Sequence, residues 1–258
     1  MIKRTLTTRR GVLLALVSLV MLSGYSVGSY AGQLNSDQRF IQIADSGTRA
    51  EALRILVLGD SLTAGYGLED LALAFPARLQ EDLQAKGYNV EILDAGISGD
   101  TTSGGRSRLD WSLAEDPHAV IVELGGNDGL RAIDPDVTYD NLKTILTRLN
   151  AEGLPVLLAG MMAPPNLGRN YGDQFFGVYT RLAGEFDVVF YPFFLDGVAG
   201  EADLNQNDRI HPNPEGVNVI VGKILPYVEQ LIERAEKTQA VQAKDSRSQE
   251  PRSSDPSL

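Results

Sequence analysis

Short runs of aliphatic residues alternate along this chain with stretches in which apolar side chains recur every three or four positions. The runs are 55–58, 90–93, 119–124, 156–159 and 188–191, all β-branched or aliphatic in character and several apolar on consecutive residues. Strands covered on both faces read in this way, whereas a strand with one wet face alternates. The helical stretches are 75–86, then Leu142, Ile145, Leu146 and Leu149 before Gly153, then Val217, Ile220, Val221, Ile224, Leu225 and Val228. Gly87 supplies the left-handed residue on which many helices end. Asn213 and Pro214 make a cap and a first turn for the last helix. Alternation of strand and helix predicts an α/β fold with a parallel sheet covered by helices on both faces, its ligands lying beyond the carboxyl ends of the strands. Trp111, the single Trp, falls in a helical pattern with Leu109 and Leu113 and is expected in the core.

The two ends of the chain break this pattern. Lys3, Arg4, Arg9 and Arg10 precede an apolar run over 12–22 and then Ser29-Tyr30-Ala31. Basic, apolar and small residues in that order read as an export signal over 1–31, cut after Ala31. Thr8-Arg9-Arg10 also resembles a twin-arginine signal, so either export route is open. The apolar run falls short of the ~20 residues a membrane-spanning helix needs, so no stable span is expected once the signal is removed. Residues 32–52 are polar and aperiodic and read as a linker, which starts the folded domain at Leu53. From Lys237 the chain turns to Lys, Gln, Ser, Asp and Pro, a composition read as a disordered tail over 237–258. One folded domain over 53–236 remains.

Charge and missing residue types narrow the partners. Removal of 1–31 takes away four of the 23 basic residues and none of the 34 acidic ones, which moves the formal charge from −11 to −15. Such a chain repels phosphate backbones, so nucleic acid is not an expected partner. With no Cys there are no disulfides, thiolate metal sites or cysteine nucleophiles. No cofactor and no metal is expected.

The chemistry should sit in the loops after the strands. These are Gly59-Asp60-Ser61, then 96–100 (GISGD), then Gly125-Gly126-Asn127-Asp128, then Gly160 with Pro164-Pro165. All of them fall along one edge of a parallel sheet, where glycines let backbone N–H groups approach a ligand. Ser61 needs a base to act as a nucleophile. Only two histidines exist. His118 precedes the third strand and so belongs to a surface loop at the amino end of the sheet, away from Ser61. His211 lies in the loop before the last helix, and elimination favours it as the base. Asp208, three residues upstream, can reach the other imidazole nitrogen and orient the ring. An oxyanion formed on the substrate needs donors, which Gly99 N–H, the Asn127 amide and Ser61 N–H could supply.

Gly59-Asp60-Ser61-Leu62, Gly99, Gly125-Gly126-Asn127-Asp128 and Asp208-x-x-His211, in this order and spacing, resemble the four blocks of the GDSL or SGNH hydrolases. The segments 59–67 (GDSLTAGYG) and 97–105 (ISGDTTSGG) are similar to the bacterial arylesterase, thioesterase I and lysophospholipase branch. The resemblance covers about residues 53–228. It implies a flavodoxin-like three-layer α/β/α sandwich with a five-stranded parallel sheet. It also implies Ser61 as nucleophile, His211 as base, Asp208 as its partner, and Ser61 N–H, Gly99 N–H and Asn127 as the oxyanion hole. The activity implied is hydrolysis of aryl or acyl esters, and of thioesters or lysophospholipids, through an acyl-enzyme; the partner is a small or lipid-like ester. Arg209 departs from the branch, which often has Gly between the Asp and the His. Two competing readings share the scaffold, a carbohydrate O-deacetylase and a non-catalytic flavodoxin-like binding module.

Overall fold

The computed structural model describes residues 51–249, so the expected signal and nearly all of the linker lie outside the described residues. The element order is β1 (Leu53–Gly59), α1 (Phe75–Ala85), β2 (Val90–Gly96), α2 (Thr102–Leu113), β3 (Ala119–Glu123), α3 (Gly126–Leu130), α4 (Pro135–Ala151), β4 (Val156–Ala159), α5 (Arg169–Glu185), β5 (Val189–Tyr191) and α6 (Pro214–Gln249). The five strands form one parallel sheet in the order β2-β1-β3-β4-β5. Helices α1 and α6 pack together, and α4 packs on both α2 and α5, giving the helix pairings of a three-layer sandwich.

The aliphatic runs become the central strands. Ile55 to Leu58 and Ala119 to Val122 are completely buried, as strands covered on both faces must be. The run 90–93 behaves differently: it forms the edge strand β2, where Ile92 and Leu93 are only half-buried. On α4 the four residues of the helical pattern are buried, and on α6 all six are. Asn213 caps α6, its Oδ1 accepting the N–H of Gly216 at 2.9 Å, with Pro214 as the first helical residue.

Two expectations are corrected. Trp111 is not in the core but 72% exposed. The buried face of α2 is Thr102, Gly105, Leu109 and Ser112. Position 111 lies two residues from Leu109, roughly 200° around a helix of 3.6 residues per turn, and so faces solvent. The tail also differs. α6 runs on to Gln249, well past Lys237, so 237–249 is helical and not disordered. Extending an existing helix adds a hydrogen bond per residue with no nucleation cost, and Glu, Lys, Gln and Ala are good helix formers. Thr238 shows the continuity, its Oγ1 donating to Arg234 O at 3.1 Å. Residues 250–258 lie outside the described residues.

Connection order fixes where a ligand can go. From β1 the chain crosses to β2 at one edge, then returns to lay β3 on the other side of β1. The loops leaving β1 and β3 therefore diverge and leave a crevice between them, the usual ligand position in a doubly wound sheet. Asp60-Ser61 leaves β1, and Gly125-Gly126-Asn127 leaves β3. Gly125 makes the second exit possible. Its φ is +117°, and a Cβ there would overlap the Tyr179 hydroxyl, which is itself held by donation to Leu124 O at 2.8 Å.

Candidate active site

Ser61 sits in the first turn after β1, and its Oγ lies 2.9 Å from His211 Nε2 across 150 residues of sequence. His211 Nδ1 is 2.6 Å from Asp208 Oδ2. The other carboxylate oxygen of Asp208 accepts the N–H groups of Ile210 and His211 at 3.0 and 3.1 Å. Asp208 thus builds its own tight turn and presents its second oxygen to the ring. Burial works against its charge, yet the bond to His211 and the two backbone donors outweigh that and hold the Asp208 carboxyl down at about 2. It is ionised wherever the protein is folded at ordinary pH.

The His211 loop is pinned from two sides. Gln206 N–H donates to His211 O at 2.8 Å, and Asn205 bridges Pro212. The Gln206 amide then donates to Tyr66 O at 2.7 Å and to Pro212 O at 3.0 Å, tying this loop to the segment after Ser61. The Tyr66 ring lies on the imidazole with centroids 4.5 Å apart. Two residues distant in sequence are held together by a third, Gln206, which no spacing rule singles out.

Asn127, at the start of α3, is placed by a buried carboxylate. Its Nδ2 donates to Asp60 Oδ2 at 3.0 Å, while Asp60 Oδ1 accepts Leu62 N–H at 3.0 Å. An amide nitrogen has two hydrogens, so one remains for a ligand. Asp60 is 1% exposed. Burial pushes its carboxyl up to about 6 in spite of these bonds and of the nearby His211. Behind it lies Glu123, the last residue of β3, fully buried with Oε1 unpartnered. Burial and the adjacent Asp60 raise the Glu123 carboxyl well above the usual range. Neither carboxylate was singled out from the sequence, although Asp60 lies beside Ser61 and a Glu closing an apolar strand is an available signal.

Gly99 lies in the loop after β2 with φ +87°. Its carbonyl accepts from Arg131 at 2.9 Å. Its neighbour Asp100 pairs with Arg108 at 2.6 Å, and Arg108 also donates to Gly59 O at 2.8 Å. On the far side Thr102 is bound through its N–H and hydroxyl to Asp128 at 2.8 and 2.6 Å. The second loop is thus fastened to both the first and the third. Among the described residues, the N–H groups of Ser61 and Gly99 donate to no protein acceptor.

Ser61 and Asn127 line a cleft of about 650 Å³ whose walls are largely apolar, with Leu62, Leu130, Met161, Met162, Phe193 and Ile210 among them. Leu130, Met162 and Ile210 are large apolar side chains that remain exposed here. His118 is elsewhere. It stands at the amino end of the sheet beside a second, more polar cleft of about 400 Å³. It is not a free surface residue: its Nδ1 accepts Arg54 N–H at 2.9 Å and its own N–H donates to Arg54 O at 2.8 Å.

A Ser-His-Asp chain at the carboxyl edge of a parallel α/β sheet, opening on an apolar cleft, defines the class of serine hydrolases. Residues 57–219 match the model of the GDSL-like lipase/acylhydrolase family. Esterase TesA of Pseudomonas aeruginosa is 40% identical over 185 residues, 71% of this chain and 92% of the relative. The thioesterase 1/protease 1/lysophospholipase L1 of Escherichia coli is 40% identical over 184 residues, 71% of this chain and 86% of that protein. The crystal structure of AlinE4, an SGNH-hydrolase family esterase, aligns with TM-score 0.60 at 44% identity, covering 70% of this chain and 96% of that one. The chain belongs to the GDSL lipase/acylhydrolase family and is an ester-hydrolysing enzyme.

Proposed function

We propose that the protein is an exported serine esterase that cleaves aryl or acyl esters through an acyl-enzyme, with Ser61 as nucleophile and His211 as base. The observation that carries the reading is the continuous chain from Ser61 Oγ through His211 to Asp208, set in the wall of an apolar cleft. The Ser61 hydroxyl gives its proton to Nε2 as Oγ bonds to the ester carbonyl carbon. The imidazolium then returns that proton to the leaving alcohol oxygen as the carbon–oxygen bond breaks. Water repeats the two steps on the acyl-enzyme and releases the acid. Ionised Asp208 fixes the tautomer and stabilises the imidazolium.

Negative charge appears on the carbonyl oxygen in both tetrahedral intermediates. Ser61 N–H, Gly99 N–H and the remaining Asn127 N–H are the donors assigned to it. Asn127→Ala is expected to lower kcat about 10²–10³-fold with a much smaller change in KM, because the bond is made to charge that exists only in the transition state. A kcat within a few-fold of the parent removes Asn127 from the oxyanion hole.

The acyl group takes the apolar cleft, whose walls offer no row of polar partners for sugar hydroxyls. Initial rates on p-nitrophenyl esters of rising acyl length test this directly. The expected result is kcat/KM climbing beyond the acetate as further methylenes enter the cleft, each worth up to ~0.8 kcal/mol on burial. Turnover confined to acetylated oligosaccharides would transfer the assignment to a deacetylase. Residues 1–31 act as the export signal in this reading. Among the described residues no helix is long and apolar enough to cross a membrane.

A further inference from the structure

Between Asp208 and His211 the chain places an arginine where the backbone favours glycine. Arg209 has φ +60°, the left-handed region that a side chain enters only at a cost. The turn itself does not call for this residue. The Arg209 N–H donates to Gln206 O at 2.9 Å, a bond that any amino acid except proline would make.

Pairing within the protein does not account for the guanidinium either. Among the arginines whose side chains are described, seven approach a carboxylate within 4.0 Å. Two more, Arg106 and Arg131, donate to Asn141 Oδ1 and Gly99 O. Arg209 alone does neither, and it is exposed. Its position is the wall of the apolar cleft that also holds Ser61. The cleft has two charged residues in its lining, Asp60 and Arg209. Asp60 is buried and engaged with Asn127 and Leu62, so the cation is the charge a ligand meets.

The chain as a whole carries a formal charge of −11, a field that repels anions on approach. A guanidinium fixed at the cleft reverses that sign locally and offers parallel N–H donors matched to the oxygens of a phosphate or carboxylate. We propose that Arg209 is a specificity residue that reads an oxyanion on the substrate, the acyl chain entering the apolar cleft while the guanidinium binds a phosphate or carboxylate on the same ester molecule. This rests on the esterase reading given above. Arg209 makes and breaks no bond in the reaction; it contributes binding present in the ground state and transition state alike, which lowers KM.

The test uses three soluble octanoyl esters with the same acyl group, those of 1,3-propanediol, of 3-hydroxypropyl phosphate and of 4-hydroxybutanoate, with octanoate release as the readout. Each is assayed on the parent and on Arg209→Asn, Arg209→Gly and Arg209→Lys. Asn and Gly both tolerate the left-handed backbone, so loss of the cation is separated from loss of fold. The quantity compared is kcat/KM for each anionic ester over kcat/KM for the neutral one within the same variant, which cancels any general change in activity. The parent is expected to prefer at least one anionic ester about 10-fold or more, the value of a charge-assisted hydrogen bond. The preference should disappear in the Asn and Gly variants, persist in part in the Lys variant, and shrink with added salt in the parent and the Lys variant alone. Preference for the phosphate ester alone identifies a dianion as the ligand; preference for both identifies any oxyanion. Equal ratios in the parent and the neutral variants, with the neutral ester turned over, overturn the role of Arg209 and leave the esterase standing. No turnover of any of the three overturns the esterase reading and this inference with it.

Discussion

Replacement of Ser61 by alanine is expected to end ester turnover and covalent labelling by an alkyl fluorophosphonate, with a fall in kcat of about 10⁵–10⁶-fold. The size follows from the geometry. With Oγ gone, His211 Nε2 has no hydroxyl to deprotonate at its 2.9 Å partner position, and no acyl-enzyme can form. A residual rate above that in water should persist, since the oxyanion donors and the cleft still bind the transition state. The fold should be untouched. Ser61 is only half-buried in the cleft wall, and the turn that follows it is held by Asp60 Oδ1 on Leu62 N–H and by the Asp60 carbonyl on Ala64 N–H. Unfolding midpoints in urea should therefore agree within about 0.5 kcal/mol. Labelling of Ser61→Ala at the parent's rate would move the nucleophile to another residue.

The second large effect separates the two histidines. His211→Ala is expected to cost about 10³-fold or more in kcat, as removal of a triad base does. His118→Ala should leave kcat unchanged, because its imidazole faces the amino end of the sheet. What it does lose is the bond from Arg54 N–H to Nδ1, worth about 1 kcal/mol of stability. The chemistry and stability readouts should thus go opposite ways in the two variants. Comparable losses of kcat in both would sink the assignment of the base. In the parent, acidification through about 6 should lower activity, and the group that responds lies beside Asn127. Asp208, held at about 2, takes no part in that limb. Asp60 does: pushed up to about 6 by burial, it binds a proton as the pH falls through that value and ceases to be a charged acceptor for Asn127.

The recurring apolar positions by themselves determined the order of the five strands and of α1, α4 and α6, since burial on two faces demands consecutive aliphatic residues and burial on one helical face demands spacing of three or four. They also placed Ser61, Gly99 and Asn127 at one edge, because every parallel strand ends its loop on the same side. The scarcity of histidine left His211 as the base. The same spacing of three or four marks Phe175, Val178, Tyr179 and Leu182 on the buried face of α5. Trp111 shows the limit of pattern at short range: Leu109 and Leu113 define a helical face, but only the angle around α2 shows that position 111 points away from it. What tertiary structure alone decided is the set of contacts between segments far apart in the chain. Gln206 joins Tyr66 across 140 residues, and Asp60 orients Asn127 across 67. The Glu123 carboxyl is pushed up because packing buries it completely and Asp60 lies beside it. A residue's charge, orientation and pairing depend on which neighbours exclude water from it, and that is set by packing rather than by local spacing.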